Sequence, residues 1–366
     1  MEYEEPLFFR VMSYAVAADG DVIDMVSGNP DWGAPAGIAE GLHAYADTGG
    51  VDFQYPPSVG LTRLREQIAD RNDVPVESVV VTNGGGEANY LGMARALSRD
   101  AGDEVVLTDP VYPYYPGKTQ MLGGEQVFVS ADADGHLDPA EVAAAASEET
   151  ACIVVNSPNN PTGAVYPAET MERLVAVAEA NDAILVSDEV YDHFDYSGQF
   201  ASALDVDSSH RIVTGSFSKT YAITGFRVGY AIVPDEHVDA VRTRHMLTNV
   251  AGSRPAQYAV SHALETTDPA YHQANRDLVE ERIDTFTTAL DRAGAEYTDP
   301  EGAFYVMARF PGIDGTLENT FRLIDEAGVA GMPGESFGTA FDDWFRFALV
   351  TPRVDEAADR LVEYFS

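Results

Sequence analysis

Short apolar runs recur along the first two thirds of the chain, and helix-like segments separate several of them. The runs are rich in β-branched residues, as buried strands are. Residues 87–98 carry Ala and Leu, and residues 168–180 have the period of an amphipathic helix. Strands that alternate with helices predict a largely parallel α/β sheet. The predicted strands are VVVT (79–82), EVVLTD (104–109), QVFVS (126–130), ACIVVNS (151–157), AILVSD (183–188), RIVTGS (211–216) and VGYAIV (228–233).

The pattern changes after a long helical stretch that runs from about Tyr271 to about Gly294. Short strands in GAFYVMARF and DWFRFALV then alternate with helices over 316–327 and 354–365. This predicts a smaller α+β domain. We therefore divide the chain into an N-terminal arm with part of the small domain (1–45), a large domain (46–282) and a small C-terminal domain (283–366).

Charge is the unusual feature of the composition. The 366 residues include 60 Asp and Glu but only 22 Lys and Arg, for a net charge of −38, and the acids are spread along the chain. Such a surface repels nucleic acid and anionic lipid, which excludes both as partners. We expect a halophilic protein, because molar salt screens self-repulsion over roughly 3 Å.

Other features bound the compartment and the chemistry. The start, MEYEEPLFFR, lacks a signal-peptide pattern, and no run approaches the roughly 20 apolar residues of a membrane span. We therefore expect a cytoplasmic protein. The one cysteine, Cys152, lies in the apolar run ACIVV and is predicted to be a core residue. No metal-ligand set is predicted.

Polar residues cluster where the predicted strands end, which is where open α/β sheets bind ligands. NGGGEANY follows VVVT and places Gly85 and Gly86 at a probable helix start, where backbone N–H groups can bind phosphate. Tyr112 in PVYPYY could stack on a planar ring, and Asn160 is presented by NSPNNPTG. Ordinary turns and loop packing remain alternatives for these segments.

A carboxylate follows the apolar run AILV. Asp188 in SDEVY would be costly to bury without a partner, and it could hold a protonated ring nitrogen. Tyr191, three residues on, could donate to a ring oxygen. A helix cap is the alternative for Asp188.

Lysine is nearly absent from the chain, which has only Lys118 and Lys219. Lysine, unlike arginine, can lose its proton and attack a carbonyl. Lys219 in SFSKT lies near Ser216 and eight residues before Arg227, which suits a Schiff base beside an anchored phosphate. Lys118, on a probable helix, is predicted to be a solvated surface charge.

In chain order, these segments resemble the fold-type I pyridoxal-phosphate (PLP) enzymes, specifically the class I/II aminotransferases related to aspartate aminotransferase. The resemblance covers essentially the whole chain. It implies a large domain with a mostly parallel sheet sandwiched by helices, a smaller α+β domain, and PLP as cofactor. Its landmarks are VSGNPDWGAP (26–35), YPPSVGLTRLRE (55–66), NPTG (160–163), SDEVY (187–191), SFSKT with GFRVGY, EGAFY (301–305) and FRFALV.

The resemblance also implies roles around the cofactor ring. Lys219 would hold PLP as an internal aldimine and later act as the general base. Asp188 would keep the pyridine nitrogen protonated, so that the ring withdraws electrons. Asn160 and Tyr191 would bind the phenolate oxygen, and Tyr112 would stack on the ring face.

The cofactor phosphate would be held by five residues. Gly85, Gly86, Ser216 and Arg227 would come from the same chain. Tyr55 would reach across from the other subunit of a homodimer.

The substrate α-carboxylate would bind Arg346, assisted by Asn160 and the Gly28 backbone. An internal salt bridge is the alternative for Arg346. Side-chain selectivity stays open, because Asn249 stands where dicarboxylate-specific members often have an arginine, and Arg254 lies nearby.

The implied activity is transfer of an amino group between an L-amino acid and a 2-oxo acid, with glutamate and 2-oxoglutarate as the default pair. A PLP-dependent β-lyase or decarboxylase on the same scaffold remains an alternative, since the same cofactor linkage serves all three reactions. A non-catalytic effector-binding module is a further alternative.

Overall fold

The structure is a computed structural model that describes residues 6–366. The acidic start at residues 1–5 lies outside the described residues. Within 6–366 the strands are β1 (Ile23–Asp24), β2 (Val79–Thr82), β3 (Glu104–Asp109), β4 (Glu125–Ser130), β5 (Thr150–Asn156), β6 (Ile184–Asp188), β7 (Arg211–Ser216), β8 (Gly229–Ile232), β9 (Glu296–Tyr297), β10 (Tyr305–Arg309), β11 (Val329–Ala330), β12 (Met332–Pro333) and β13 (Phe345–Ala348).

The α-helices in the same range are α1 (Leu7–Ala17), α2 (Ala36–Ala46), α3 (Thr62–Asn72), α4 (Gly85–Leu97), α5 (Tyr114–Leu122), α6 (Pro139–Ala145), α7 (Ala168–Ala180), α8 (Phe217–Thr220), α9 (Asp235–Asn249), α10 (Arg254–Thr266), α11 (Pro269–Arg292), α12 (Leu317–Ala327) and α13 (Val354–Phe365). Helices α7, α12 and α13 begin within one residue of their predicted starts, and the other helices include several for which no bounds were predicted.

A seven-stranded sheet forms the centre of the larger part of the protein. Its strand order is β2-β8-β7-β6-β5-β3-β4, and only β8 runs against the others. Successive β2 residues point to opposite faces: Val79 and Val81 pack in one core, and Val80 packs in the other. Helices α3, α7 and α10 contribute to the first core, and α4, α5 and α9 to the second. This confirms the predicted mostly parallel sheet between helices.

A separate core surrounds a four-stranded antiparallel sheet of order β12-β13-β10-β9. Helices α11 and α13 pack together there, and β1 joins β11 in a separate two-stranded parallel sheet. The smaller α+β unit is thus confirmed. The proposed boundaries at 45/46 and 282/283 remain predictions; α11 runs without a break through the second one.

Two helices start earlier than predicted, for reasons of local chemistry. Helix α4 begins at Gly85 rather than residue 87, since Gly84 at the preceding position takes a φ of 80° that glycine adopts without strain. Helix α11 begins at Pro269, because the Asp268 carboxylate accepts from the Ala270 N–H and proline suits the first helical position.

Cys152 is fully buried in β5, as predicted for a core residue. Among the described residues, no helix combines the length and apolar character that a membrane span needs.

Candidate active site

One cleft collects almost every residue that the sequence singled out. It has a volume of about 1930 Å³ and lies at the carboxyl ends of β5, β6 and β7, beside β10 and β13. Tyr55, Asn249 and Arg254 do not line it, and 82% of Tyr55 is exposed. The predicted site residues that line the cleft are Gly28, Gly85, Gly86, Tyr112, Asn160, Asp188, Tyr191, Ser216, Lys219, Arg227 and Arg346.

The Lys219 amine is held at the centre of this cleft. Helix α8, which carries it, begins directly after β7, where the Ser216 side chain accepts from the Ser218 N–H at 3.1 Å. Lys219 Nζ donates to the Gly28 carbonyl oxygen at 2.6 Å. Burial lowers the pKa of Lys219 to about 8, and the positive charges of Arg346 and Arg227 add to this effect. A larger share of neutral amine is therefore present near neutral pH than at an ordinary lysine.

Asp188, at the end of β6, is buried and hydrogen-bonded. Its Oδ2 accepts from Tyr115 Oη at 2.5 Å and from Asn89 Nδ2 at 2.6 Å. Its Oδ1 receives only the longer bond from the Val190 N–H, at 3.3 Å. Burial raises the pKa of Asp188, and the hydrogen bonds from Tyr115 and Asn89 oppose that rise. No α-helix begins at Asp188, so the helix-cap alternative is wrong.

The sequence reasoning missed Asn89 and Tyr115. Asn89 lies one turn after Gly85 on α4, and Thr214 Oγ1 donates to its Oδ1 at 2.6 Å. Tyr115 belongs to the tyrosine-rich segment from which Tyr112 was chosen. Both are buried polar residues on helices, a signal that marks candidates without showing which carboxylate they meet.

Asn160 and Tyr191 lie on the small-domain side of Asp188. The Asn160 N–H donates to Asn156 Oδ1 at 2.8 Å, and the Tyr191 hydroxyl lies 3.0 Å from that of Tyr305. Burial holds the pKa of Tyr191 well above its usual range. Tyr305 belongs to the EGAFY segment but was not chosen from the sequence. Gly28 must be glycine because a Cβ there would stand 2.1 Å from the Tyr305 hydroxyl.

A second group of polar atoms surrounds the start of α4. A Cβ at Gly84 would lie 2.4 Å from Arg227 Nη2, so glycine lets the guanidinium approach the loop. Within residues 6–366, Arg227 donates to two backbone carbonyls, those of Thr224 at 2.8 Å and Asn83 at 3.3 Å, and to no side chain. The Ser218 hydroxyl is buried without a partner among the described residues.

These features fit the phosphate of PLP. An anion there would meet the first N–H groups of α4, which lack intrahelical partners, and the Arg227 guanidinium. The fit rests on the buried hydroxyl of Ser218 and on a guanidinium that, within 6–366, has no carboxylate partner.

Arg346, on β13, is a buried cation without a carboxylate. Only 5% of it is exposed, and its Nη1 donates to Asn160 Oδ1 at 3.1 Å while its Nη2 donates to the Val26 carbonyl. The rings of Tyr305 and Phe337 lie 4.5 Å and 5.1 Å from its guanidinium carbon. Its Nε is buried without a partner. No residue of 6–366 forms a salt bridge with it, so the internal salt bridge is wrong.

Arg254 and Asn249, the two residues considered for side-chain selectivity, have clear positions. Arg254 does not line the cleft: its Nη2 binds Asp52 Oδ1 at 2.6 Å, and its Nη1 donates to the carbonyls of Val51 and Gln54. Asn249 ends α9 and is exposed.

The prediction for Lys118 is wrong. Instead of being solvated, it is half-buried on α5 and lines the same cleft as Lys219. Its Nζ stands over the rings of Tyr114 and Tyr115, at 5.5 Å and 5.8 Å from their centroids. Burial lowers its pKa to about 8. The packing of α5 against the sheet, which a local pattern does not reveal, is the cause.

Comparisons with known proteins match this geometry. The family model for aminotransferase class I and II matches residues 20–364. The chain belongs to that family. Aspartate aminotransferase of Thermotoga maritima is 34% identical over 356 residues, covering 94% of this chain and 92% of that protein. Aspartate/prephenate aminotransferase of Thermus thermophilus is 34% identical over 328 residues, covering 87% and 84%.

Solved structures agree with the sequence matches. A Thermus thermophilus aspartate aminotransferase mutant superposes with a TM-score of 0.92 at 31% identity, covering 99% of this chain and 97% of that one. An Escherichia coli protein with an identified methionine aminotransferase function gives 0.90 at 26% identity, covering 99% and 97%. The protein is therefore a PLP-dependent aminotransferase, and its fold is that of aspartate aminotransferase.

Proposed function

We propose that this aminotransferase moves the amino group between an L-amino acid and a 2-oxo acid, with glutamate and 2-oxoglutarate as one pair. The observation that carries the proposal is Arg346, a buried guanidinium that has no anionic partner among residues 6–366, in a chain of net charge −38. Both members of every such pair present an α-carboxylate, which matches the planar fork of a guanidinium. Asn160 and the Gly28 backbone lie beside it.

PLP supplies an aldehyde for an amine and a ring that withdraws electrons from the substrate Cα. We assign the covalent attachment to Lys219, whose lowered pKa favours the neutral, nucleophilic amine. Once the substrate amine has replaced it, Lys219 Nζ moves a proton at the substrate Cα as general base.

Asp188, Asn160, Tyr191 and Tyr112 are assigned to the ring. Asp188 Oδ1 is the less occupied carboxylate oxygen and would accept the ring N–H. Asn160 and Tyr191 would bind the ring oxygen, with the Tyr191 hydroxyl oriented by Tyr305. Tyr112 would cover one ring face.

The phosphate is assigned to the backbone of Gly85 and Gly86, to Ser216 and Arg227, and to Tyr55 of the partner subunit. Tyr55 supports a homodimer because it is 82% exposed, yet Arg254 ties the segment before it at three points. A rigid segment that presents an exposed ring suits contact with a second chain. Exposed apolar side chains accompany it at Val51, Phe53, Met246, Leu247 and Val250.

The assembly has a direct test. We expect the purified protein to sediment at twice its 39.5 kDa, and Tyr55→Phe to weaken PLP binding without dissociating the dimer. A monomeric protein whose Kd for PLP is the same in wild type and Tyr55→Phe would contradict the assignment of Tyr55.

The reaction is tested by following labelled nitrogen from glutamate into a panel of 2-oxo acids. The panel includes prephenate, which is itself a 2-oxo acid, and the 2-oxo acids that correspond to aspartate and methionine. These three compounds are chosen because the names of similar proteins contain prephenate, aspartate and methionine. Stoichiometric transfer with formation of 2-oxoglutarate supports the proposal. Release of ammonia or carbon dioxide instead would support the lyase or decarboxylase alternative.

We also propose that the acidic surface adapts the protein to a salty cytoplasm. The net charge of −38 supports this, because self-repulsion weakens as salt screens it. The free energy of unfolding should rise towards molar salt. A flat profile would contradict the halophilic assignment.

A further inference from the structure

A buried histidine–glutamate pair lies next to the start of α4. His245, on α9, is fully buried, with 0% exposed. Its Nδ1 lies 2.7 Å from Glu87 Oε1, and its Nε2 lies 2.8 Å from the Ser58 carbonyl oxygen. Neither His245 nor Glu87 is among the described residues that line the cleft. The assigned roles therefore leave this pair unused.

Hydrogen bonds hold both members of the pair. A carbonyl oxygen only accepts, so His245 Nε2 must carry a hydrogen. Glu87 Oε2 accepts from the Asn83 N–H at 2.6 Å, in the first turn of α4, where the helix dipole favours a carboxylate. Burial disfavours the charged form of Glu87, but hydrogen bonds from His245 and Asn83 outweigh it and lower its pKa. His245 Nδ1 faces this carboxylate at 2.7 Å, so the ring is hydrogen-bonded on both of its nitrogens.

The His245 ring joins two chain segments, one at Glu87 and one at Ser58. Glu87 follows Gly85 and Gly86 directly, and its bond to the Asn83 N–H holds the turn that leads into α4. Ser58 lies three residues after Tyr55, in the segment that continues to α3. Glu87 thus belongs to the helix start that is assigned to the phosphate of its own chain. Ser58 belongs to the segment 55–61, here called the Tyr55 segment, whose Tyr55 is assigned to the phosphate site of the partner subunit.

Net stability alone is a poor explanation for such a pair. Removing a carboxylate and its histidine partner from water costs about as much as their attraction returns, so apolar residues of similar volume could fill the space. A hydrogen-bonded pair differs from apolar residues because its hydrogen bonds require a particular distance and direction between the groups that they join. The consequence is expected in the placement of the two segments.

We propose that the His245–Glu87 pair is a positioning device that fixes both phosphate-binding elements, the start of α4 and the Tyr55 segment, and thereby sets the affinity of the enzyme for the phosphate of its cofactor. One buried histidine would act on two cofactor sites, its own through Glu87 and the partner's through Tyr55. This inference rests on the proposed phosphate assignments.

The test compares PLP with pyridoxal, which lacks the phosphate. Apoprotein is titrated with each, and the apparent Kd is read from cofactor absorbance for wild type, His245→Gln and Glu87→Gln. We expect each variant to raise the Kd for PLP about tenfold and to leave the Kd for pyridoxal unchanged. Equal weakening of both ligands, or no change in either, would overturn the proposal.

The matched control is His262→Gln. His262 also faces a glutamate, Glu40 at 3.6 Å, but both side chains are partly exposed and neither lines the cleft. It should leave the ratio of the two Kd values unchanged. Glu87→Gln keeps the shape of the side chain, so it preserves the test if His245→Gln fails to fold. The double variant should bind PLP no more weakly than the weaker-binding single variant, since both substitutions break the same His245–Glu87 contact.

The Tyr55 branch has its own experiment. In a Tyr55→Phe background, His245→Gln should cause a smaller further loss of PLP affinity than in wild type. An undiminished loss would remove Tyr55 from the proposal. Transfer activity of wild type is measured separately: failure there overturns the proposed function, whereas the ratio of Kd values tests the His245–Glu87 pair alone.

Discussion

The two lysines of the chain invite comparison because folding brings both to one cleft. Burial lowers the pKa of each to about 8. Their contacts differ. Lys219 Nζ is hydrogen-bonded to the Gly28 carbonyl oxygen, whereas Lys118 Nζ lies over two tyrosine rings and, within the described residues, has no hydrogen-bond partner.

The charges around the two amines also differ. Two cations, Arg346 and Arg227, help to lower the pKa of Lys219, and each lacks a carboxylate partner in the described chain. Asp188 opposes the lowering of the pKa at both lysines, but no arginine contributes to the lowering at Lys118. A reactive pKa is therefore not enough to identify a catalytic lysine. The anion-binding groups on either side of the amine distinguish Lys219.

The strongest test of this comparison replaces each lysine with alanine. Lys219→Ala should lower kcat roughly 10⁴-fold or more, since it removes both the covalent attachment and the general base. Lys118→Ala should keep most of the activity. Steady-state transfer from glutamate measures both, and comparable losses in the two variants would refute the distinction.

A chemical label supports the same test. Borohydride reduction of the wild-type protein with PLP should leave the cofactor on the peptide that contains Lys219 and not on the one that contains Lys118. With only two lysines in the chain, mass spectrometry assigns the label without ambiguity. Label on Lys118 would overturn the assignment.

The next largest effect is expected at Asp188. Asp188→Asn should lower kcat roughly 10²–10³-fold while PLP still binds, because the ring nitrogen loses the negative partner that keeps it protonated. The cofactor absorbance shows binding, and transfer rates show activity. Wild-type rates would contradict the role of this carboxylate.

Local patterns predicted the elements but not the contacts between them. Buried parallel strands such as β6 are continuous apolar runs, and α7 shows its helical period over its whole length, so both could be located from sequence. Tyr115 and Asn89 reach Asp188 across 73 and 99 residues of sequence. Such long-range contacts leave no local signal. Lys118 was misassigned for the same reason.

The third test concerns Arg346, which influences the pKa of Lys219 but not that of Lys118. Arg346→Gln should raise KM for amino acids and oxo acids about 10–100-fold, because the variant loses a charge-assisted bond to the α-carboxylate. Its effect on kcat should be smaller. Unchanged KM across the substrate panel would show that the carboxylate binds elsewhere.

The pH dependence of cofactor attachment sharpens the comparison further. Only a neutral amine attacks the aldehyde, so the rate at which apoprotein combines with PLP should rise with pH to a midpoint at about 8, the pKa of Lys219. Arg346→Gln removes a positive charge that lowers this pKa, so the midpoint should move to higher pH. A wild-type midpoint near that of ordinary lysine, about 10.4, would contradict the effect of burial.

The smallest effect is expected from Lys118→Met, which keeps the length of the side chain but not its charge. The positive charge of Lys118 lowers the pKa of Asp188, so its loss should raise that pKa. Asp188 would then gain its proton at a higher pH, and the acidic limb of the kcat profile should move upward by less than about one pH unit. The attachment midpoint should stay where it is in wild type, because Lys118 is not among the charges that shift Lys219. A shift of the midpoint with an unchanged acidic limb would mean that Lys118 acts on the amine rather than on the carboxylate.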